Sequence, residues 1–212
     1  MSLAISPERG SVLMEKISWS TFEALLSDLG EHRGRLAYSE GVLEIMAPTE
    51  DHEHAGRLIG RLIEALTEEL GIEIKSVKST TLKRDDLEKA VEADESYYIG
   101  HESVGRKGRR MDLPRESPPD LAIEIDITSK SLPRLPIHAA IGVREVWTWA
   151  KGKVAFRVLE ASGSYEGVER SRVLPMLAAA DVNLWLSRAE EYGETKLIRE
   201  FRAWVRSDLA QG

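Results

Sequence analysis

Between Ala55 and Leu70 the apolar residues Ala55, Leu58, Ile59, Leu62, Ile63, Leu66 and Leu70 recur at i, i+3, i+4 and i+7, and Gly71 follows directly. At 3.6 residues per turn this spacing brings them to one side of a long helix, and a glycine just past the stripe supplies the left-handed residue on which helices commonly end. A helix with one apolar face must be laid against a sheet or another helix, and that requirement constrains the rest of the chain. Gly56 and Gly60 weaken the helix by roughly 1 kcal/mol each relative to alanine, which predicts that another element packs closely there.

The flanking sequence supplies strands. Arg35 to Met46 alternates apolar and polar residues around Ser39-Glu40-Gly41, two short strands meeting in a tight turn, with Pro48 closing the second. Alternation resumes from Ile72 to Lys83, and the charged stretch RDDLEKAVEADE then leads into a β-prone Ser96-Tyr97-Tyr98-Ile99 that Gly100 ends. From Asp120 to Thr128, Leu121, Ile123, Ile125 and Ile127 share one face, and Asp120, Ala122, Glu124 and Asp126 the other. Arg144 to Trp149 and Val154 to Leu159 flank Lys151-Gly152-Lys153 as a hairpin. Shorter helices are predicted at Trp19 to Leu29, at Pro133 to Ile141 before Gly142, and at Thr195 to Leu209. A helix first, then strands interrupted by one helix, specifies an α/β fold with a mixed central sheet flanked by helices. At 212 residues the chain fits one domain over 1–160, with 161–212 as a helical C-terminal extension packed on it.

Composition removes several functions. Zero cysteines exclude a disulfide scaffold, thiolate metal sites and a cysteine nucleophile. With 36 acidic against 29 basic residues and a formal charge of −7, a globally basic nucleic-acid coat is excluded, though a local patch is not. No apolar run approaches the roughly 20 residues of a membrane span, and the start, MSLAISPERG, lacks a basic flank followed by an apolar segment. The expectation is a cytoplasmic protein without membrane association. No phosphate-binding G-x-x-x-x-G-K, no G-x-G-x-x-G and no serine–histidine–acid order is present.

Chemistry concentrates in acidic residues. Asp94 opens one strand and Glu124 and Asp126 lie on the polar face of another. If the two strands are neighbours the carboxylates converge into an oxygen-rich site suited to magnesium or manganese. Spacing alone also fits a solvated strand face, although three like charges on one face repel one another and gain from a cation. His52-Glu53-His54 falls short of the H-e-x-x-H zinc pattern, because histidines two apart diverge on a helix, and the better reading has one at the helix start and the other solvated. Arg106, Lys107, Arg109, Arg110 and Arg115, set among glycines and prolines, form a basic loop able to meet phosphates. Trp147, Trp149 and Trp185 lie in apolar patterns and read as core or interface.

Four ordered blocks, GVLEIMAPTEDHE (Gly41 to Glu53), VEADESYYI (Val91 to Ile99), PPDLAIEIDITSKS (Pro118 to Ser131) and IHAAIGVREVW (Ile137 to Trp147), give the chain a resemblance to the Uma-type family of putative restriction endonucleases, within the PD-(D/E)XK nuclease superfamily. The resemblance covers about residues 15 to 160 and implies a restriction-endonuclease-like fold. It implies that Asp94 and Glu124 are metal ligands for Mg2+ or Mn2+, that His52 and Glu53 line the same cleft, and that Gly41 occupies the strand turn. Ala93 stands where the family usually has the proline of its PD element. Asp126 stands where the superfamily motif has a lysine, and Arg134 where members place a lysine in the following helix. Arg134 can stabilise a phosphoryl charge but cannot act as a general base, and Lys130 is the nearer lysine. The implied activity is metal-dependent hydrolysis of DNA phosphodiesters by a homodimer, with Arg134 or Lys130 assisting. The alternatives are a nuclease-fold module that binds nucleic acid without turnover, and a structural oligomer with a solvated acidic face.

Overall fold

A computed structural model describes residues 2–6, 11–29, 34–47, 49–77, 80–100, 111–113, 117–125 and 132–209, with 2–6 and 111–113 as backbone only. The chain runs through β1 (Ser2–Ser6), β2 (Ser11–Glu15), α1 (Trp19–Leu29), β3 (Arg35–Ser39), β4 (Val42–Met46) and the long helix α2 (Glu50–Leu70). Six strands follow: β5 (Ile74–Ser76), β6 (Leu82–Arg84), β7 (Lys89–Val91), β8 (Glu95–Ile99), β9 (Met111–Leu113) and β10 (Leu121–Ile125). The remainder comprises α3 (Arg134–Ile141), β11 (Glu145–Ala150), β12 (Lys153–Leu159), β13 (Tyr165–Val168), α4 (Ala179–Ser187) and α5 (Glu194–Trp204), which runs on into a π-helical turn, Val205–Leu209. No helix among the described residues is long and apolar enough to cross a membrane.

The mixed α/β architecture expected from the sequence is present, with its strands divided between two sheets. Among the described residues one is ordered β1-β2-β4-β3-β7-β6-β9 and the other β13-β12-β11-β10-β8-β5. Each contains one parallel pair, β6 with β9 and β10 with β11. The second pair is joined through α3, because parallel neighbours need a crossover.

The α2 stripe packs as its period requires, burying Leu58, Ile59, Leu62, Ile63 and Leu66 against Tyr97, Leu121, Ile123, Ile125 and Trp147 of the second sheet. Both glycines face that sheet: a Cβ on Gly60 would lie 2.8 Å from the Tyr97 hydroxyl, and one on Gly56 would lie 3.6 Å from Ile125. The helix begins earlier than its stripe, at Glu50, because Thr49 caps it by accepting the His52 N–H at 3.5 Å and Glu50, Asp51 and Glu53 suit its positive end. At the other end Gly71 takes φ 64° as expected. Val182, Trp185, Leu197, Phe201 and Val205 from the C-terminal helices join the same core.

The opposite face of the second sheet is also covered. Tyr98, Ala122 and Val146 meet Ile137 and Ile141 of α3 together with Ala37, Leu82 and Val91 of the first sheet. This corrects the reading of the Asp120–Glu124 face as solvated: β10 is central and enclosed on both sides, Asp120 is 6% exposed and Glu124 1%. A third cluster seats α1 on the first sheet through Phe22, Leu36, Tyr38 and Leu43, with Ser18 capping that helix at the Thr21 N–H, 3.2 Å. The β3–β4 turn has Glu40 at φ 53° and Gly41 at φ 81°, the left-handed pair that a two-residue hairpin turn requires.

The charged stretch after Lys83 is not merely a linker. It holds a 3-10 turn at Asp85–Leu87 and then β7, which pairs with both β3 and β6.

Candidate active site

The adjacency on which the acidic pair depended is realised. β8 and β10 pair antiparallel with Ile123 opposite Glu95, and Asp94 immediately precedes β8. The Asp94 N–H donates to the Ile123 carbonyl at 3.1 Å, and its Oδ2 accepts the Ile125 N–H at 2.8 Å, so this carboxylate continues the ladder from its own side chain. Its Oδ1 lies 3.6 Å from Arg35 Nε.

Glu124 has partners on both oxygens. His138 Nε2 lies 2.6 Å from Oε1, and Arg134 Nη1 donates to Oε2 at 3.2 Å. With Glu124 ionised, the proton of that short contact sits on His138 Nε2. Arg134 and His138 are one helical turn apart on α3, which aims both into the space beneath β10. Arg134 Nη1 also donates to the Glu92 carbonyl at 3.2 Å, and Nη2 stands 3.9 Å from Glu44 Oε2. Arg134 is 4% exposed and His138 fully buried.

These placements set the protonation states. Burial pushes Asp94 up to about 6, the Glu124 charge adds to the rise, and the Ile125 N–H, Arg134 and Arg35 pull back. Burial works against ionised Glu124 as well, but the Arg134 charge and the His138 hydrogen bond overcome it and hold this carboxyl below its ordinary range. Burial would likewise discharge Arg134, and Glu124, Asp94 and Glu44 together reverse that and raise its pKa.

Of the residues singled out in the sequence, Asp94, Glu124 and Arg134 thus come together. Glu53 joins them through Arg35, whose Nη2 donates to Glu53 Oε1 at 3.3 Å. His52 is half-buried on the first turn of α2, and its N–H is held by Thr49. His54 is exposed, with Nδ1 3.6 Å from Glu194. Asp126, Lys130 and the basic side chains Arg106 to Arg115 lie outside the described residues. Trp147 and Trp185 are buried in the core, as their apolar settings suggested, Trp147 stacking on Phe156 at 4.2 Å.

Glu44, Arg35 and His138 were not anticipated as members of the cluster. Glu44 is an acid inside the apolar strand Val42–Met46, and His138 stands at i+4 from Arg134, so both left a signal. Arg35 left none. Two neighbouring carboxylates prove structural instead. Asp120 accepts the Ile99 N–H at 2.9 Å, and Glu145 accepts Trp147 Nε1 at 2.6 Å and the backbone N–H of Arg172 at 2.7 Å.

Whether the cluster suits a divalent cation turns on its donors. Asp94 and Glu124 offer hard oxygens, and Glu124 contributes to raising Asp94, an accumulation of negative charge that a cation would relieve. Among the described residues no third His, Asp or Glu completes a set around one point, so water and substrate oxygens would fill the remaining positions, as magnesium commonly allows. The donor chemistry therefore fits.

Two mixed sheets, a crossover helix and a buried acid pair on adjacent strands make this a mixed α/β protein with an enclosed acidic cluster. A crystal structure of a putative nuclease belonging to DUF820 from Anabaena variabilis shares this fold with a TM-score of 0.54 at 15% identity, covering 80% of this chain and 99% of that one. The Uma2 family model, described as "Putative restriction endonuclease", matches residues 19–189, and the chain belongs to that family. No curated protein matches it.

Proposed function

We propose that the protein is a metal-dependent endonuclease that hydrolyses DNA phosphodiesters at the Asp94–Glu124 cluster, acting as a cytoplasmic homodimer. The observation that carries this reading is the arrival of two buried carboxylates from adjacent strands in a chain of this family, with Asp94 raised to about 6. Asp94 and Glu124 would hold Mg2+ or Mn2+, which when bound polarises the phosphoryl oxygen and activates a water. Arg134 carries a permanent positive charge and serves by stabilising the phosphoryl group, since it cannot accept a proton. Lys130, Asp126 and His52 are proposed to line the same cleft. A homodimer would provide two such sites for the two strands of a duplex.

Plasmid nicking in Mn2+ or Mg2+ tests the assignment. Wild-type protein is expected to nick, and Asp94→Ala and Glu124→Ala to lose nicking. Unchanged cleavage in either variant would show the site to be wrong. Sedimentation at 23.7 kDa alone would remove the dimer.

A second reading, a nuclease-fold module that binds nucleic acid without turnover, is favoured by one observation: both Glu124 oxygens already accept from Arg134 and His138. It predicts salt-sensitive DNA binding with no cleavage in any divalent metal.

A further inference from the structure

We propose that Arg134 is the resident counter-ion of the acidic cluster and keeps Glu124 closed to divalent cations, so that a cation binds only once the guanidinium has released that carboxylate. The inference rests on the reading of Asp94 and Glu124 as the cation's ligands and adds what controls their access. Three carboxylates, Glu44, Asp94 and Glu124, are each at most 6% exposed, and all three act on the same guanidinium. Arg134 contacts Glu124 directly at 3.2 Å, stands 3.9 Å from Glu44 and is anchored to the Glu92 carbonyl.

Two consequences follow for an incoming cation. It would enter beside a buried positive charge that cannot be discharged at any ordinary pH, and repulsion between like charges is severe where water is excluded. It would also compete for oxygens already engaged, one by Arg134 and the other by His138 at 2.6 Å. The guanidinium is not itself saturated. Nη2 is buried without a hydrogen-bond partner among the described residues, so Arg134 is held by one strong ion pair and one carbonyl rather than by a complete fork. A group held in that way neutralises the cluster while remaining displaceable.

The test is Mn2+ binding without nucleic acid, followed by calorimetry and by the electron paramagnetic resonance of free Mn2+. Wild type, Arg134→Gln, Arg134→Lys and the double variant Glu124→Gln/Arg134→Gln are compared. Arg134→Gln is expected to bind Mn2+ at least about tenfold more tightly than wild type, equivalent to about 1.4 kcal/mol, and the double variant to lose that gain. Equal affinity in wild type and Arg134→Gln overturns the proposal, and so does a gain that survives in the double variant.

Because Arg134→Gln leaves buried carboxylates without their counter-charge, Arg134→Lys provides a second variant. Its ammonium keeps the charge but is a compact, strongly hydrated point on a shorter stem, without the second nitrogen that approaches Glu44. It is expected to bind Mn2+ more tightly than wild type and to melt higher when Mn2+ is added. A folded Arg134→Lys with wild-type Mn2+ affinity overturns the proposal as well. Failure here leaves the nicking assay unaffected, and an absence of nicking in wild type leaves the Mn2+ comparison standing, so the two readings fail separately.

Discussion

Asp94 and Glu124 are both buried carboxylates on neighbouring strands, yet their surroundings push them in opposite directions. Asp94 is raised from 3.8 to about 6, so the folded state binds its proton more tightly than the unfolded state does. The sign follows: stability is unaffected by this group below about pH 4, falls between about pH 4 and pH 6 and levels off above that, the cost at neutral pH being on the order of 3 kcal/mol. Asp94→Asn keeps the acceptor for the Ile125 N–H and removes the charge. It is expected to melt higher than wild type at pH 8 and to flatten the fall between pH 4 and pH 7; thermal melts across that range check it, and a lower melting temperature at pH 8 would contradict it. Glu124, held below its ordinary value, behaves in reverse, contributing stability above about pH 4.5 that is lost as pH drops through its lowered pKa. Glu124→Gln removes the carboxylate that Arg134 and His138 contact directly and is expected to cost about 3–5 kcal/mol in denaturant unfolding. Opposite stability effects from two neighbouring neutralisations would mark one carboxylate as strained and the other as structural. The sequence singled out Glu124 by strand alternation and Asp94 as the acid opening a strand, with the family resemblance pairing them as metal ligands, but Arg35 and Glu44 reach the cluster from another sheet, and no local pattern encodes which sheet lies opposite.

At the scale of elements, α2 separates what pattern reading reaches from what it does not. Its apolar stripe and closing glycine located the helix body, while its first turn, all polar, carried no periodicity and became visible only through the Thr49 cap. Its two glycines have different reasons for being there. A Cβ at Gly60 would fall 2.8 Å from the hydroxyl of Tyr97, a side chain only 1% exposed, and the overpacking of about 1–3 kcal/mol exceeds the helix gain of about 1 kcal/mol. A Cβ at Gly56 would meet Ile125 and Asp94 at 3.6 and 4.0 Å, ordinary contact distances, so the propensity term prevails. Gly60→Ala is therefore expected to lower the melting temperature and Gly56→Ala to raise it, by up to about 1 kcal/mol. Calorimetric melts of the two variants check the contrast, and equal shifts in the same direction would refute it.

At the scale of the molecule, the C-terminal helices complete the core rather than decorate it. Phe201 and Leu197 are fully buried beside α2, Trp185 meets Phe201 edge-on at 5.5 Å, and Arg202 and Arg206 pair with Glu69. A chain ending at residue 160 would open the core where Val182, Trp185, Leu197, Phe201 and Val205 now cover it. It is expected to lack a cooperative thermal transition, and a cooperative melt from that truncated chain would show residues 161–212 to be dispensable. Phe201→Ala in the full chain is expected to cost about 3–5 kcal/mol, through lost burial and the cavity left behind.

Periodicity, turn glycines and the positions of acids are local properties, and they sufficed for the α/β class, for most of the helices and hairpins, and for the expectation that Asp94 and Glu124 converge if their strands are neighbours, whereas Arg134 was reached only through the family resemblance. β1, β2, β7, β9, β13 and α4 escaped because short segments without a clean period depend on their neighbours for definition. The state of the site was decided elsewhere. The same alternation in β10 serves a solvated face or an enclosed one, and only the placement of α3 and the first sheet over that strand buries Glu124, brings Glu44 and Arg35 alongside and seats Arg134 and His138 on its oxygens. Burial is a relation between distant parts of a chain, and it sets which carboxylate is strained, which is neutralised and where a cation would have to compete.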